Sequence, residues 1–466
     1  MPALGTPDRP LRVAVVGSGP AGFYAAGQLL SSKEHTVEVD VFDRLPTPWG
    51  LVRGGVAPDH PKLKSVSRVY EKIARRPGFR FFGNVDVGRD VAHEDLARWY
   101  HAVIYAVGSA TDRRSGIPGE ELPGSHSATE FVGWYNGHPD YRDLEFDLSC
   151  ERAVVVGNGN VAVDVARMLC LPRDELAATD IADHALEVLE RSQITEIVML
   201  GRRGPEQAAF TNPELLELGE LTDADVVVDP ADLEIEAHVR EPELDGTARR
   251  NVEILREFAA RPATGRRRRI VLRFLNSPVE VVGDGRVEHV RVGRNRLVRG
   301  DDGRLRAEPT GEDELLDAGL VLRAIGYRGV PLPGLPFDER RGTLPNDGGR
   351  VLGDDGAPLP GVYVAGWIKR GPSGVIGTNK KDAHETVAKL LADLADGRLP
   401  DRDVPDADAV AEELAARAPG LVDYAGWEAI DAAEQAAGEP AGRPRVKLTT
   451  VPELLEAAGV TSAARR

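Results

Sequence analysis

The chain is poor in cysteine: its 466 residues hold two, Cys150 and Cys170. A disulfide framework, a structural zinc site and an iron–sulfur cluster all need more cysteines or a closer spacing. No C-x-x-C dithiol is present, and no metal-ligand set is expected. Long apolar runs are also missing. None approaches 18 residues, so no membrane span is expected. An excess of positive charge is absent too. The net charge of −17 argues against a general nucleic-acid binder. The segment Met1 to Pro10 is short and polar and lacks the apolar core of a signal peptide, so a cytoplasmic protein is expected.

The composition is that of a globular protein, 42% hydrophobic and 29% charged. The length exceeds what one hydrophobic core supports, so two or three domains are expected. Leu11 to Val16 is a β-branched run that reads as a buried parallel strand. Ala21 to Leu30 has helical composition, and Thr36 to Phe42 alternates as a second strand. His101 to Val107 is a further buried strand ending at Gly108. Arg152 to Val156 starts the same pattern again, with Ile197 to Leu200 as its second strand. Leu322 to Ile325 and Val362 to Ala365 read as short strands, and Lys380 to Leu391 as a helix. Residues 283 to 311 suggest hairpins, and residues 392 to 420 a linker with a surface helix.

Gly17-Ser18-Gly19-Pro20-Ala21-Gly22 is a complete G-x-G-x-x-G between a strand and a helix. Its first glycine permits the tight turn. The second lets backbone approach a pyrophosphate, and the third lets helix and strand pack closely. Asp43 ends the second strand, where an acid accepts hydrogen bonds from ribose hydroxyls.

Gly157-Asn158-Gly159-Asn160-Val161-Ala162 repeats the fingerprint with alanine at its third small position. Here the second strand ends in Gly201-Arg202-Arg203 instead of an acid. Paired guanidiniums there would grip a 2′-phosphate through charge-assisted, bidentate bonds. The second site therefore reads as selecting NADP(H), and the first as suiting FAD. The expected fold class is α/β, with two Rossmann-like domains and the NADP domain inserted into the FAD domain. The expected boundaries are 1–108 and 326–466 for the FAD domain and 109–325 for the insert.

Several longer stretches carry a family resemblance. They are Pro48-Trp49-Gly50-Leu51-Val52-Arg53, Gly55 through Pro61, Gly201-Arg202-Arg203-Gly204-Pro205, Gly366 through Pro372, Gly374 through Asn379, and Gly442-Arg443-Pro444-Arg445. With these the chain resembles ferredoxin–NADP reductases of the adrenodoxin-reductase type over nearly its whole length. The resemblance implies FAD contacts at Gly17, Gly19, Pro20, Ala21, Asp43, Gly50, Leu51, Val87, Trp367, Gly374, Val375 and Ile376. The family usually has glutamate where Asp43 stands. NADP contacts are implied at Asn158, Gly159, Asn160, Val161, Arg202, Arg203, Glu214 and Gly374. His60 and Glu214 are implied beside the flavin–nicotinamide contact. Hydride transfer needs no base at carbon, so they read as orienting and tuning residues.

The implied activity passes electrons between NADPH and a ferredoxin through FAD, in a protein expected to be monomeric. Ferredoxins are acidic, so docking calls for a basic patch. Arg249-Arg250, Arg266 to Arg269, and Lys369-Arg370 are the dense basic groups. Glutamate-synthase-type small subunits carry N-terminal cysteine clusters that are missing here. Thioredoxin-reductase chemistry lacks its dithiol, a flavin monooxygenase has no supporting motif, and a redox sensor without turnover would share the same sequence features.

Overall fold

The computed structural model describes residues 2–234 and 244–460. The chain divides into two compact units. One comprises Met1–Val56, His60–Thr111 and Gly326–Arg466, and the other comprises Ala57–Asp59 and Asp112–Ile325.

The first unit is built on a seven-stranded sheet. From one edge its order is Asn346–Asp347, Arg350–Leu352, Pro358–Val364, Ala102–Tyr105, Leu11–Val16, Val37–Phe42 and Phe79–Phe82. The first three pair antiparallel and the remainder parallel. Leu11–Val16 is buried at every position, as a β-branched strand covered on both faces must be. Chain order reverses at this strand, so the crevice at its carboxyl end is where an open parallel sheet takes a ligand. Helix Pro20–Leu29 packs on one face with Ile376–Ala395, and Phe23, Ala26, Val387 and Leu390 join one core cluster.

The second unit carries a six-stranded parallel sheet. Its order is Ser125–Ser127, Leu320–Arg323, Arg152–Val156, Glu196–Gly201, Arg268–Phe274 and Ala224–Val228. Its reversal falls at Arg152–Val156. An antiparallel meander of Asn276–Val282, His289–Arg299 and Leu305–Asp317 completes it.

The elements expected from sequence recur with shifted ends. The helix expected from Lys380 begins at Ile376 and runs 20 residues. The hairpins expected in 283–311 are one long hairpin reaching Asp317. The 392–420 segment holds helix Ala407–Arg417. Between the two strands of the second fingerprint, the extra length forms helices Arg173–Ala177 and Asp183–Glu190. No helix of the described residues is long and apolar enough to cross a membrane.

One buried ion pair fastens the first unit's last long helix to its early loop. Glu434, on helix Tyr424–Gly438, is fully buried. Arg53 donates to both its carboxylate oxygens, at 2.8 and 2.5 Å. Arg445 donates at 3.1 Å and the Leu448 backbone N–H at 2.9 Å. Burial alone would push this carboxyl up, but Arg53 and Arg445 outweigh burial and hold it below the usual glutamate range. Removing one partner of such a pair strands a buried charge, so Glu434→Ala is expected to cost about 3–5 kcal/mol at pH 7. The ionised form carries that stability. The deficit of the variant is therefore complete above the ordinary glutamate pKa of about 4.3. It shrinks as pH falls through the lower folded-state value. Denaturant melts of both proteins across the acid range measure this difference.

Candidate functional site

In the first unit, Gly17 has φ +105° and its N–H donates to the Phe42 carbonyl at 2.8 Å. A Cβ at Gly17 would stand 2.5 Å from the Ala106 carbonyl, and one at Gly22 would overlap the Gly17 carbonyl. Gly19 differs. A Cβ there would meet nothing nearer than Gly50 Cα at 3.9 Å, so open space faces its backbone. Pro20 occupies the first helical turn and no side chain caps the helix start. The first-turn N–H groups and the positive end of the helix therefore face that space, which fits a pyrophosphate.

Asp43 lies just past the second strand. Its Oδ2 accepts from the Ser18 N–H at 3.0 Å and from the Ser18 hydroxyl, and its Oδ1 accepts from Leu45 N–H at 2.9 Å. Burial raises its pKa despite these bonds. The shorter acid thus ties the glycine turn to the strand end and keeps further acceptor capacity on Oδ1.

Trp49 sits at φ +84°, a costly conformation for a bulky residue. Its N–H donates to the Ser18 carbonyl at 3.1 Å. Its ring packs 4.7 Å from Phe23 and 5.9 Å from Trp427, centroid to centroid. The strained residue presents Gly50, at φ +51°, to Gly19. Leu51 opens the short helix Leu51–Gly54 with its side chain exposed. Val87 is half-buried, in a bridge to Val91.

From the C-terminal segment, Gly366 donates its N–H to Asp382, and a Cβ on Gly366 would come 2.7 Å from Ala21 Cβ. Trp367 is next in the chain, 5.2 Å from the Tyr327 ring. Its indole Nε1 is buried without a hydrogen-bond partner among the described residues. Gly374 at φ +80° turns the chain into the helix beginning at Ile376, and Val375 is 58% exposed. An orphaned indole N–H, an exposed aliphatic residue and a helix start suit a planar, polar-edged ring. His60 is buried, at the start of the turn Pro61–Lys64.

The second unit repeats the scheme. Gly157 has φ +136° and its N–H donates to the Leu200 carbonyl at 2.9 Å. A Cβ on Gly157 would overlap the Ala324 carbonyl, whereas one on Gly159 would meet only Ala209 Cβ at 3.9 Å. Asn160 opens helix Asn160–Cys170, and Val161 beside it is half-buried. The Asn160 Oδ1 accepts from Thr211 N–H at 2.8 Å, and the Asn158 carbonyl accepts from Ala209 N–H at 2.9 Å. These bonds join the fingerprint to helix Asn212–Leu218, which carries Glu214 in its first turn.

Arg202 and Arg203 have backbones pinned by Asn295, which donates to the Arg202 carbonyl at 3.0 Å, and by Leu275 N–H, which donates to the Arg203 carbonyl at 3.0 Å. Their side chains form no ion pair among the described residues, in a chain with 75 acids and 58 strong bases. A fixed backbone with uncommitted guanidiniums is what an anion-binding strand end requires.

Arg167 carries no signal in the sequence beyond its place on the apolar face of a helix. It is buried on helix Asn160–Cys170 and pairs with Asp59, with Asp164 at 3.3 Å and with Glu217 at 3.0 Å; Glu214 lies 3.9 Å away. Burial lowers its pKa against these carboxylates. Its guanidinium lies at the limit of ion-pair distance from Glu214, the acid that the family resemblance singles out.

The basic groups considered for docking differ in their exposure. Arg268 is buried, bonded to the Cys170 carbonyl at 3.2 Å and to Asp223 at 2.8 Å. Arg266 and Arg267 donate to backbone carbonyls, and Arg269 pairs with Glu196. Arg250 pairs with Glu253 and Glu257. Lys369 is buried against Asp382 and Glu385, and Arg370 donates to Asn379 and the Ser373 carbonyl. Arg268 and Lys369 are thus withdrawn from any docking surface, whereas Arg249, Arg266, Arg267 and Arg269 remain exposed.

Two glycine turns at two sheet reversals, one leading to an acid and one to an arginine pair, define a two-dinucleotide oxidoreductase. Residues 11–200 match the family model for pyridine nucleotide-disulphide oxidoreductases. NADPH-ferredoxin reductase FprA of Mycobacterium tuberculosis is 54% identical over 455 residues, 96% of this chain and 99% of that one. The mitochondrial NADPH:adrenodoxin oxidoreductase of Arabidopsis thaliana is 42% identical, covering 97% of this chain and 96% of that one. A solved structure of M. tuberculosis FprA in complex with NADPH superposes with a TM-score of 0.92 at 54% identity, covering 97% of this chain and 100% of that one. The chain belongs to the NADPH-ferredoxin reductase family.

Gly50 offers a direct check of the first turn. A Cβ there meets Gly19 Cα at 2.9 Å, at a φ that side chains avoid. Gly50→Ala is expected to cost about 1–3 kcal/mol in a denaturant melt and to weaken dinucleotide binding. An unshifted midpoint would show that the two loops separate without strain.

Proposed function

We propose that the chain is an FAD-dependent NADPH–ferredoxin reductase, with FAD in the first unit and NADP(H) in the second. The observation that carries the reading is the contrast at equivalent strand ends. Asp43 would accept from a ribose, whereas Arg202 and Arg203, with no ion pair among the described residues, would hold a 2′-phosphate. Bound FAD would supply the conversion of a two-electron donor into one-electron output.

The protein's own groups bind and orient. Gly17, Gly19, Pro20 and Ala21 form the pyrophosphate turn, and Gly50, Leu51 and Val87 flank it. Trp367, Gly374, Val375 and Ile376 would line the flavin. N–H groups at the start of helix Ile376–Ala395 would stabilise negative charge there. Asn158, Gly159, Asn160, Val161 and Gly374 would contact NADP. His60 and Glu214 orient and tune, with Glu214 held by its neighbours around Arg167. The reading includes a monomeric, cytoplasmic protein. Two free cysteines support a reducing compartment.

NADPH-driven reduction of a panel of ferredoxins tests the activity, and NADH in place of NADPH tests the arginine pair. Arg202→Ala with Arg203→Ala removes roughly 3 kcal/mol of charge-assisted bonding, so kcat/KM for NADPH is expected to fall about 100-fold. The value for NADH should hardly move. Equal losses with both nucleotides would show that the pair does not read the phosphate.

A further inference from the structure

Among the dense basic groups of the sequence, Arg268 and Lys369 are buried and Arg250 and Arg269 pair with acids; a further cluster of positive charge lies elsewhere. Residues 61–76 hold six strong bases and one acid, Glu71, in a chain whose net charge is −17. Within this segment, Arg75 pairs with Glu428 and Arg76 donates to Gly27 and Ser31. Lys62, Arg68 and Lys72 are exposed and form no ion pair among the described residues.

The helix Ser67–Ala74 is two-sided. Tyr70, Ile73 and Ala74 are buried in the core beside Phe23 and Trp49. Arg68, Val69 and Lys72 face outward. Arg68 and Lys72 stand one turn apart, a like-charge arrangement that disfavours an isolated helix. Between these cations, Leu63 is 48% exposed and Val69 is 46% exposed. Leu51, on the loop assigned to the flavin nucleotide, is a third exposed aliphatic residue. Small apolar contacts ringed by charge of one sign are the makings of a transient interface.

We propose that the outer face of residues 61–74, centred on Lys62, Leu63, Arg68, Val69 and Lys72, is where the acidic iron–sulfur electron partner docks. This rests on the reductase reading above. Lys62 lies two residues after His60, which that reading places at the flavin, so a partner seated here lies at the flavin end of the unit. Charge complementarity selects the occupant. An acidic protein is repelled by most of this surface and attracted to this face, which speeds encounter and makes it salt-sensitive. The core-anchored inner face holds the helix in place before the partner arrives.

The test uses the full-length, flavin-loaded protein with NADPH, an acidic ferredoxin, and the neutral quinone menadione as a partner-independent acceptor. Lys62→Glu, Arg68→Glu and Lys72→Glu combined are expected to raise KM for ferredoxin at least about tenfold and to flatten the fall of kcat/KM with salt. Menadione reduction should stay unchanged, which also shows that the variant is folded and loaded. A control with equal charge change, Arg256→Glu, Arg286→Glu and Arg304→Glu, all exposed, should shift KM for ferredoxin less than about twofold. Leu63→Ala with Val69→Ala should raise KM while leaving the salt slope in place. A triple reversal that leaves KM within about twofold, or a control that weakens binding equally, overturns the docking site while leaving the reductase reading intact. So does a reversal that removes only self-association or binding to anionic vesicles. If the wild type reduces menadione but no acidic ferredoxin at low salt, the reductase reading fails first and the docking site with it.

Discussion

The first unit turns on a place where a side chain cannot exist. Gly17 crosses the Ala106 carbonyl at a distance no Cβ could share, and Gly22 packs as closely on Gly17 itself. That contact aims helix Pro20–Leu29 at the sheet's carboxyl edge. Three other segments then converge on the same turn. Ser18 is held by Asp43, Trp49 is held by Ser18, and Gly366 lies against Ala21. The strain at Trp49 is sustained by the aromatic cluster behind it, so packing energy from the core sets backbone geometry at the surface. The second unit reuses the same device at Gly157 against Ala324.

The two turns diverge at the ends of their second strands. On the proposed reading, an acid and a pair of bases at matching positions would make two different receptors of one architecture. Arg167 shows the complementary economy. A single buried cation surrounded by four carboxylates fixes acids from three chain segments without leaving net positive charge in the interior.

The glycine turns, the strands around them, Asp43 and the arginine pair were legible in the sequence because their signals are local: a periodicity, a turn chemistry, a residue at a fixed offset. Partnerships across the chain were not. Arg53 and Glu434 are 381 positions apart, and nothing near either announces the other. The run Arg266 to Arg269 reads as a charged surface, yet strand alternation turns Arg268 inward and Arg269 outward. Lys369 looks like a loop cation until helix Ile376–Ala395 brings Asp382 and Glu385 to it. That helix starts earlier than its composition suggests because packing against Pro20–Leu29 supports weak helix formers at its first turn.

The pairing of strand Pro358–Val364 with Ala102–Tyr105 has a consequence in time. Val362 lies beside Val103, so the sheet of the first unit closes only after the intervening chain has been made. At a synthesis rate of about 5–20 residues per second, the amino-terminal β-α-β segment waits on the order of 10–50 s for its partner strand. The second unit is almost one continuous stretch and can complete its own sheet during that wait. Its folding then brings the two distant strands of the first unit under a shorter effective loop, lowering the entropy of closure. The inserted unit thus acts on the nascent chain as a splint before it acts on any nucleotide.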